Sequence, residues 1–295
     1  RETLVYNRAG STFTTVSERT WSHSKSDTKS WINRLMYANT FGKHDIMASV
    51  NVEMEGWQST YHSMGASGFP DDEILNSFSN ATTKGTMTET YYEKRMLSYI
   101  GRAQYNYDSR YLLTLTFRRD GSSLFGSNSR WGNFPSIGVG WTFSNESFIR
   151  DSKVGQFLSH GKLRASYGKA GSQNLSTYQW MTMVSSNIYN GASGIYPANI
   201  GNPSLQWEET RMLDIGLELE FFESRLRLVL GYFEKKGDNL IYTQSLPPSS
   251  AFSTMTANMA STKARGFEFD ISYDVYRTSD WLVTLNANGS QNNTW

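Results

Sequence analysis

Thr210-Arg-Met-Leu-Asp-Ile-Gly-Leu-Glu-Leu-Glu-Phe221 alternates apolar and polar side chains along its length. Arg211, Leu213, Ile215, Leu217, Leu219 and Phe221 share one face of an extended chain, and Asp214, Gly216, Glu218 and Glu220 share the other. A period of two marks a β-strand with one apolar and one polar side. Beyond Phe222-Glu223 the pattern resumes, with Leu226, Leu228, Leu230 and Tyr232 on one face and Arg225, Arg227, Gly231 and Lys235 opposite. A two-residue loop at Phe222-Glu223 predicts that Glu220 opposes Arg225, Glu218 opposes Arg227, Leu219 opposes Leu226 and Leu217 opposes Leu228. One register then satisfies both faces of a hairpin.

The pattern recurs outward from this pair. Leu97, Tyr99, Ala103, Tyr105 and Tyr107 alternate with Ser98, Arg102, Gln104 and Asn106, and Tyr111, Leu113, Leu115 and Phe117 follow the turn Asp108-Ser109-Arg110. Only a three-residue loop aligns the apolar sets here, and a bulge is expected with it. Phe267, Phe269, Ile271, Tyr273 and Val275 alternate with Glu268, Asp270, Ser272 and Asp274, and Trp281, Val283, Leu285 and Ala287 follow a turn at 277–280. Strands are predicted near 30–40, 46–57, 89–107, 111–119, 133–143, 161–171, 207–221, 225–236, 263–276 and 281–292, with an eleventh near 12–24.

Connection lengths are sorted. Short ones at 41–45, 108–110, 222–224 and 277–280 interleave with long ones at 58–88, 120–132, 172–206 and 237–262. The segment 144–160 falls where a short one is due and carries a helical turn around Asp151 to Leu158. Tight turns at one end and long loops at the other are the signature of an all-β, antiparallel transmembrane barrel. Trp57, Tyr107, Tyr111, Trp141, Trp207, Phe221, Tyr232, Tyr276 and Trp281 lie at or near strand ends, where rings sit at the headgroup level.

Composition agrees. Tyr, Phe and Trp number 17, 16 and 9 against six prolines and no cysteine. Mean hydropathy is −0.52, and no run reaches the roughly 18 apolar residues of a membrane helix. A barrel wall escapes that test because only alternate residues face lipid. The lack of cysteine removes disulfides, thiolate metal sites and thiol nucleophiles. A net charge of +1 makes no electrostatic case for nucleic acid. Arg1-Glu2-Thr3-Leu4 lacks a signal-peptide pattern, so an exported chain is expected to be mature or a fragment.

The stretch Arg110-Tyr-Leu-Leu-Thr-Leu-Thr-Phe-Arg-Arg-Asp-Gly-Ser-Ser123, followed by Phe125-Gly-Ser-Asn-Ser-Arg-Trp-Gly-Asn-Phe-Pro-Ser-Ile-Gly-Val-Gly-Trp141, closely resembles the SusC/RagA family of TonB-dependent outer-membrane transporters of Bacteroidetes. Thr40-Phe-Gly-Lys-His44, Lys162-Leu-Arg-Ala-Ser-Tyr-Gly-Lys-Ala-Gly171, Asn202-Pro-Ser-Leu-Gln-Trp-Glu-Glu-Thr210 and Ala264-Arg-Gly-Phe-Glu-Phe269 follow in family order, so the resemblance spans roughly 30 to 292. It implies a 22-stranded barrel in the cell outer membrane of a Gram-negative bacterium, of which this chain holds about half the strands. It also implies a plug that contacts TonB–ExbB–ExbD, an extracellular SusD-like lipoprotein lid, and import of glycan oligosaccharides or peptides. The plug domain is absent from residues 1–295, which read as part of one barrel domain.

Candidate chemistry is sparse. Asp214, Glu218, Glu220, Glu268, Asp270 and Asp274 invite a glycosidase reading, since residues i and i+2 project together about 6.6 Å apart. Arg225 and Arg227 on the facing strand favour ionised carboxylates instead, and the polar lining of a lumen accounts for the set, so no enzyme is expected. His23, His44, His62 and His160 show no ligand spacing, and no metal or cofactor is implied. His44 is expected to complete its turn. Asp71-Asp72-Glu73 suits the start of a short loop helix, with a calcium site as the alternative. Asp120-Gly121-Ser122-Ser123 reads as a turn.

The loop 172–206 carries Tyr178, Trp180, Tyr189 and Tyr196 among Ser, Asn and Gly. Flat rings beside amides and hydroxyls suit a sugar face or a partner protein, with loop self-packing the simpler expectation. Two other classes fit the strands: a passive structural or adhesive barrel, and a soluble carbohydrate-binding β-sandwich.

Overall fold

A computed structural model describes residues 2–5, 18–70 and 74–295. Eleven strands form one antiparallel sheet in the order β1 (Glu2–Val5), β2 (Glu18–Phe41), β3 (His44–Ser67), β4 (Thr83–Tyr107), β5 (Tyr111–Ser122), β6 (Trp131–Trp141), β7 (Leu158–Ser172), β10 (Glu208–Phe221), β11 (Leu226–Ser245), β12 (Thr254–Arg277) and β13 (Leu282–Thr294). The hairpin β8 (Val184–Tyr189) and β9 (Ala192–Pro197) stands apart within the connection from β7 to β10. A sandwich requires two sheets face to face, and the sheet neighbours here follow chain order instead. The short helix α1 (Ser147–Arg150) and a 3-10 turn at Val154–Gln156 occupy the β6–β7 connection, where a helical turn was expected.

The sheet residues fall into two compact units, Arg1–Ser30 with Glu55–Arg95, and Trp31–Met54 with Met96–Trp295. In the first, Trp57 Nε1 donates to Ser26 Oγ at 2.9 Å and Lys94 Nζ stands 5.4 Å from the Trp57 ring centroid. The second holds the two-faced strands from which the sequence was read.

Several strands outrun the predicted segments. β2, β3 and β12 have 24 residues and β4 has 25, whereas about 9–11 residues cross a bilayer. Residues 18–30 of β2 are polar on both sides apart from Trp21, so alternation could not announce them. On β12, Met255, Ala257 and Met259 do alternate with Thr256 and Asn258, in a signal too short to extend the reading. Residues 18–24 belong to β2 rather than to a separate strand, and the expected strand's residues 12–17 lie outside the described residues. β1 pairs with β2 through Glu2↔Trp21 to Val5↔Glu18. Asp71-Asp72-Glu73 also lies outside the described residues.

The β4–β5 turn has the expected three residues, with Tyr107 opposite Tyr111 and Asp108 and Ser109 left-handed at φ 53° and 52°. The β10–β11 register differs from the expected one. Phe221 pairs with Leu226, so the loop spans four residues, and Glu220 faces Arg227, Glu218 faces Val229, Leu219 faces Leu228 and Leu217 faces Leu230. A slide of two residues leaves every side chain on its own face, so face matching alone cannot detect it. Phe222, Glu223 and Ser224 all take left-handed φ, near 57°, 57° and 62°, and Arg225 lies in the turn instead of opposite Glu220.

From β7 through β10 and β11 to β12 the apolar rows run unbroken. Leu163, Leu217, Leu230 and Phe269 stand side by side on β7, β10, β11 and β12, with Ala165, Ile215, Tyr232 and Phe267 in the next row. Phe267 is 65% exposed and Leu285 63% exposed, so no part of the described residues packs against this face there. The buried hydrophobic cluster is Phe125, Phe134, Leu205 and Trp207, near the long connections.

Candidate functional site

The long-loop end is organised by that cluster. Phe134 projects from β6 on the same face as Arg118, its partner on β5. A Cβ on Gly132 or Gly171 would fall 2.4 or 2.0 Å from the Phe134 ring, so only glycine admits the ring at these positions. The Trp207 ring lies 4.9 Å from Phe125 and 5.5 Å edge-on to Phe134, a spacing suited to aromatic pairs. Its Nε1 donates to the Arg130 carbonyl at 3.2 Å. Trp207 is 6% exposed, which corrects its expected place at a membrane interface. Alternation cannot tell a ring that loops will cover from one that they will not.

Polar side chains tie the same loops down. Asn202 Nδ2 donates to the Thr256 carbonyl at 2.9 Å, and Asn258 exchanges bonds with Gln206 at 3.0 and 2.8 Å. Phe125, Gly132 and Phe134, then Gly171, then Asn202, Leu205 and Trp207 come from three of the motifs quoted above. Those motifs build one anchor for the loops.

The four loop aromatics are not brought together. Trp180 packs against the cluster, and Tyr178 sits in the turn before it with φ 66°. Tyr189 and Tyr196 lie on the β8–β9 hairpin, where Ser185 pairs with Tyr196 and Tyr189 with Ala192 across Asn190-Gly191. Both turn residues are left-handed, as a two-residue hairpin requires. Asn190-Gly191 between apolar residues was the sequence signal for this hairpin. Tyr189, Asn187, Ser185 and Tyr196 share one face, and Val184, Ile188 and Ile195, exposed by 66%, 73% and 81%, share the other.

The charged residues singled out in sequence mostly share the polar face. Arg164 on β7 bonds Asp214 and, at 3.1 Å, Glu218, with Lys162 Nζ 3.8 Å from Glu218. Glu218 is therefore neutralised from β7 and not by Arg227. Glu220 faces His160 on β7 and Arg227 on β11, while Glu268 faces Gly231 and Asp270 faces Val229. Arg225 contributes its carbonyl, which accepts from the Asp274 amide at 2.8 Å. Asp214 and Glu218 are thus paired with a cation on this wall, while Glu268 and Asp270 face uncharged residues on both neighbouring strands.

The short-turn end holds a second network that sequence reading missed. Lys43 Nζ and Arg110 Nη2 donate to Asp108 Oδ2 at 3.0 and 2.7 Å, and Arg110 Nη1 donates to Glu146 Oε2 at 2.8 Å. Tyr111 Oη and Trp141 Nε1 both donate to Glu146 Oε1, at 2.6 and 3.2 Å. These bonds hold the Glu146 carboxyl below its usual range, with Tyr111 the largest cause, then Trp141 and Arg110. The Lys43 bond does the same for Asp108, helped by the Lys43 and Arg110 charges. His44 Nδ1 lies 2.7 Å from Tyr105 Oη beside its turn. The six groups of the network come from three segments, at 43, 108–111 and 141–146, that lie far apart in sequence, so no local spacing reveals it.

Residues 2–293 match the family described as TonB dependent receptor-like, beta-barrel. The chain is 34% identical over 267 residues to TonB-dependent receptor P39 of Formosa agariphila, covering 88% of this chain and 25% of the relative. It is 29% identical over 276 residues to TonB-dependent receptor SusC of Bacteroides thetaiotaomicron, covering 88% and 26%. Among solved structures, the RagAB peptide transporter superposes with a TM-score of 0.87 at 26% identity, over 95% of this chain and 31% of that one. The chain thus spans about a quarter of the length of the curated relatives it matches. A two-faced sheet with sorted turns and SusC/RagA-like motifs belongs, on this match, to the TonB-dependent receptor β-barrel family of the Gram-negative outer membrane.

Proposed function

We propose that this chain forms part of the barrel wall and extracellular vestibule of a TonB-driven importer of oligosaccharides or peptides. The exposed apolar face meets lipid. On β10 it runs from Leu213 to Phe221, roughly 26 Å along the strand at the usual rise, which a barrel tilt reduces to about 20 Å, close to the apolar band of such barrels. The polar face, with Asp214, Glu218, Glu220, Arg227, Glu268 and Asp270, lines the lumen, and Arg225 lies at its turn-side rim. A SusD-like lipoprotein lid covers the long-loop end, and TonB–ExbB–ExbD acts through a region outside this chain. SusC and the RagAB peptide transporter among its relatives support that assignment.

The observation that carries the vestibule reading is the β8–β9 hairpin. It offers hydroxyl, amide and ring groups on one face, where Tyr189 and Tyr196 suit an uncharged polar ligand, and bare Val184, Ile188 and Ile195 on the other, which suits a covering protein. Deleting residues 176–198 from the full-length transporter tests it. Heat-modifiable migration reports an intact barrel, and substrate binding or lid retention should then fall. Unchanged substrate affinity and lid retention in a folded barrel would sink the reading.

A further inference from the structure

The apolar face is not smooth. β4 places Gly101 beside Phe117 and Ala103 beside Leu115 on β5. No atom lies within 4 Å of where a Cβ on Gly101 would sit. The small residues leave a groove of about 710 Å³ on this face, bounded by Phe117, Pro135, Ile137 and Tyr167 and ending at Lys169 and Arg211. These two cations open a row. Lys169 on β7 faces Arg211 on β10, Arg211 faces Lys236 on β11, and Lys236 faces Lys263 on β12.

The row stands where the apolar band ends, on the long-loop side. Tyr167 and Leu213 lie one step below it on β7 and β10. Carboxylates accompany the row but do not saturate it. Glu209 and Asp238 face each other one step above, and Arg211 stands 3.7 and 3.9 Å from them, beyond good hydrogen-bond length. The Arg211 and Lys236 side chains remain 47% and 50% exposed. Lys169 pairs with Glu209, Lys236 with Asp238 at 3.0 Å and Lys263 with Glu234 at 2.9 Å. A solvated ion-pair surface explains the pairs. It does not explain why four cations fall on consecutive strands with the first two, Lys169 and Arg211, at the mouth of an apolar groove.

We infer that this groove and cation row hold a phosphate-bearing lipid of the outer leaflet, with an acyl chain beside Gly101 and Ala103 and the phosphate on Lys169 and Arg211. Phosphate takes charge-assisted bonds from several cations at once, and a guanidinium matches it with paired donors. The groove takes the chain at the depth where apolar surface is already exposed. The inference rests on the proposal that the apolar face meets lipid.

The full-length transporter in phosphatidylcholine nanodiscs, doped with phosphorylated lipid A or with its dephosphorylated form, tests it by native mass spectrometry. The wild type should retain the phosphorylated form about twentyfold better, from the attraction of two basic residues for an anionic headgroup. Lys169→Gln with Arg211→Gln should remove that preference. Gly101→Leu should lower retention of both forms by filling the groove, and excess inorganic phosphate should displace neither. Heat-modifiable migration confirms that each variant is folded. Equal retention of both forms by inserted wild type, an unchanged double variant, or displacement by inorganic phosphate would overturn the inference while leaving the membrane reading intact. A wild type that stays soluble without detergent would overturn both.

Discussion

The two ends of the sheet are held by opposite means. At the short-turn end, Asp108, Arg110 and Glu146 form a charged network with Lys43, Tyr111 and Trp141, every member hydrogen-bonded to another. At the long-loop end, Phe125, Phe134, Leu205 and Trp207 bury themselves among the long loops, with Leu175, Trp180 and Ile241 packed against them. Short turns bring few atoms together and have no volume in which to bury rings, so directional bonds fix them. Long loops carry more chain entropy, and an apolar anchor offsets part of it. The difference also assigns roles, with a rigid end where turns are tight and an anchored but outward-reaching end where the hairpin stands.

The largest effect is expected from Trp207→Ala in the full-length protein. It removes a buried ring and the bond to Arg130, and such truncations cost about 3–5 kcal/mol. Amide exchange across 123–130 and 199–207 should rise by roughly a hundredfold or more, with the turn at 108–110 unaffected. Accelerated exchange at both ends would break the comparison, because it would mean that the two anchors act as one.

The second effect is smaller and depends on pH. Asp108 and Glu146 are held below the usual carboxylate range by their hydrogen bonds. Their stabilisation is therefore complete above an unfolded carboxylate pKa of about 4 and is lost as the pH falls through the lower folded values. Protection against exchange at 108–110 and 142–146, taken relative to the intrinsic rate at each pH, should hold steady from neutral pH down to about 4 and fall below it. Glu146→Gln should raise exchange at neutral pH and flatten much of that acid response. A flat profile in the wild type would contradict the network. The smallest effect is expected from Glu223→Gly. Glu223 is left-handed at φ 57°, and relieving that conformation stabilises by about 1 kcal/mol, read as slower unfolding with substrate uptake unchanged.

What could be read beforehand follows from how far each signal reaches. Faces are local: Leu213 to Phe221 declares its two sides with no knowledge of its neighbours, and the rows across β7, β10, β11 and β12 confirm them. The three-residue turn at 108–110 was legible because an odd slip would have crossed the faces. The β10–β11 register was not, because an even slip is invisible to alternation. Trp207 was assigned to a girdle because its cover, Phe125 from one loop and Leu205 from another, is set by tertiary contacts. The β8–β9 hairpin was legible from Asn190-Gly191 but was read as loop, its aromatics weighed by composition and not by position. Glu146 gave no signal, since its three partners come from elsewhere in the sheet.

The central claim is that one face of this sheet meets lipid and the other does not. Single spin labels at each position of β10 from Leu213 to Glu220, omitting Gly216, in the full-length protein in lipid vesicles, test it most directly. Accessibility to oxygen should peak at 213, 215, 217 and 219 and dip at 214, 218 and 220, with a water-soluble nickel chelate never exceeding oxygen at the odd positions. A profile without a period of two, or odd positions open to the nickel chelate, would contradict the account.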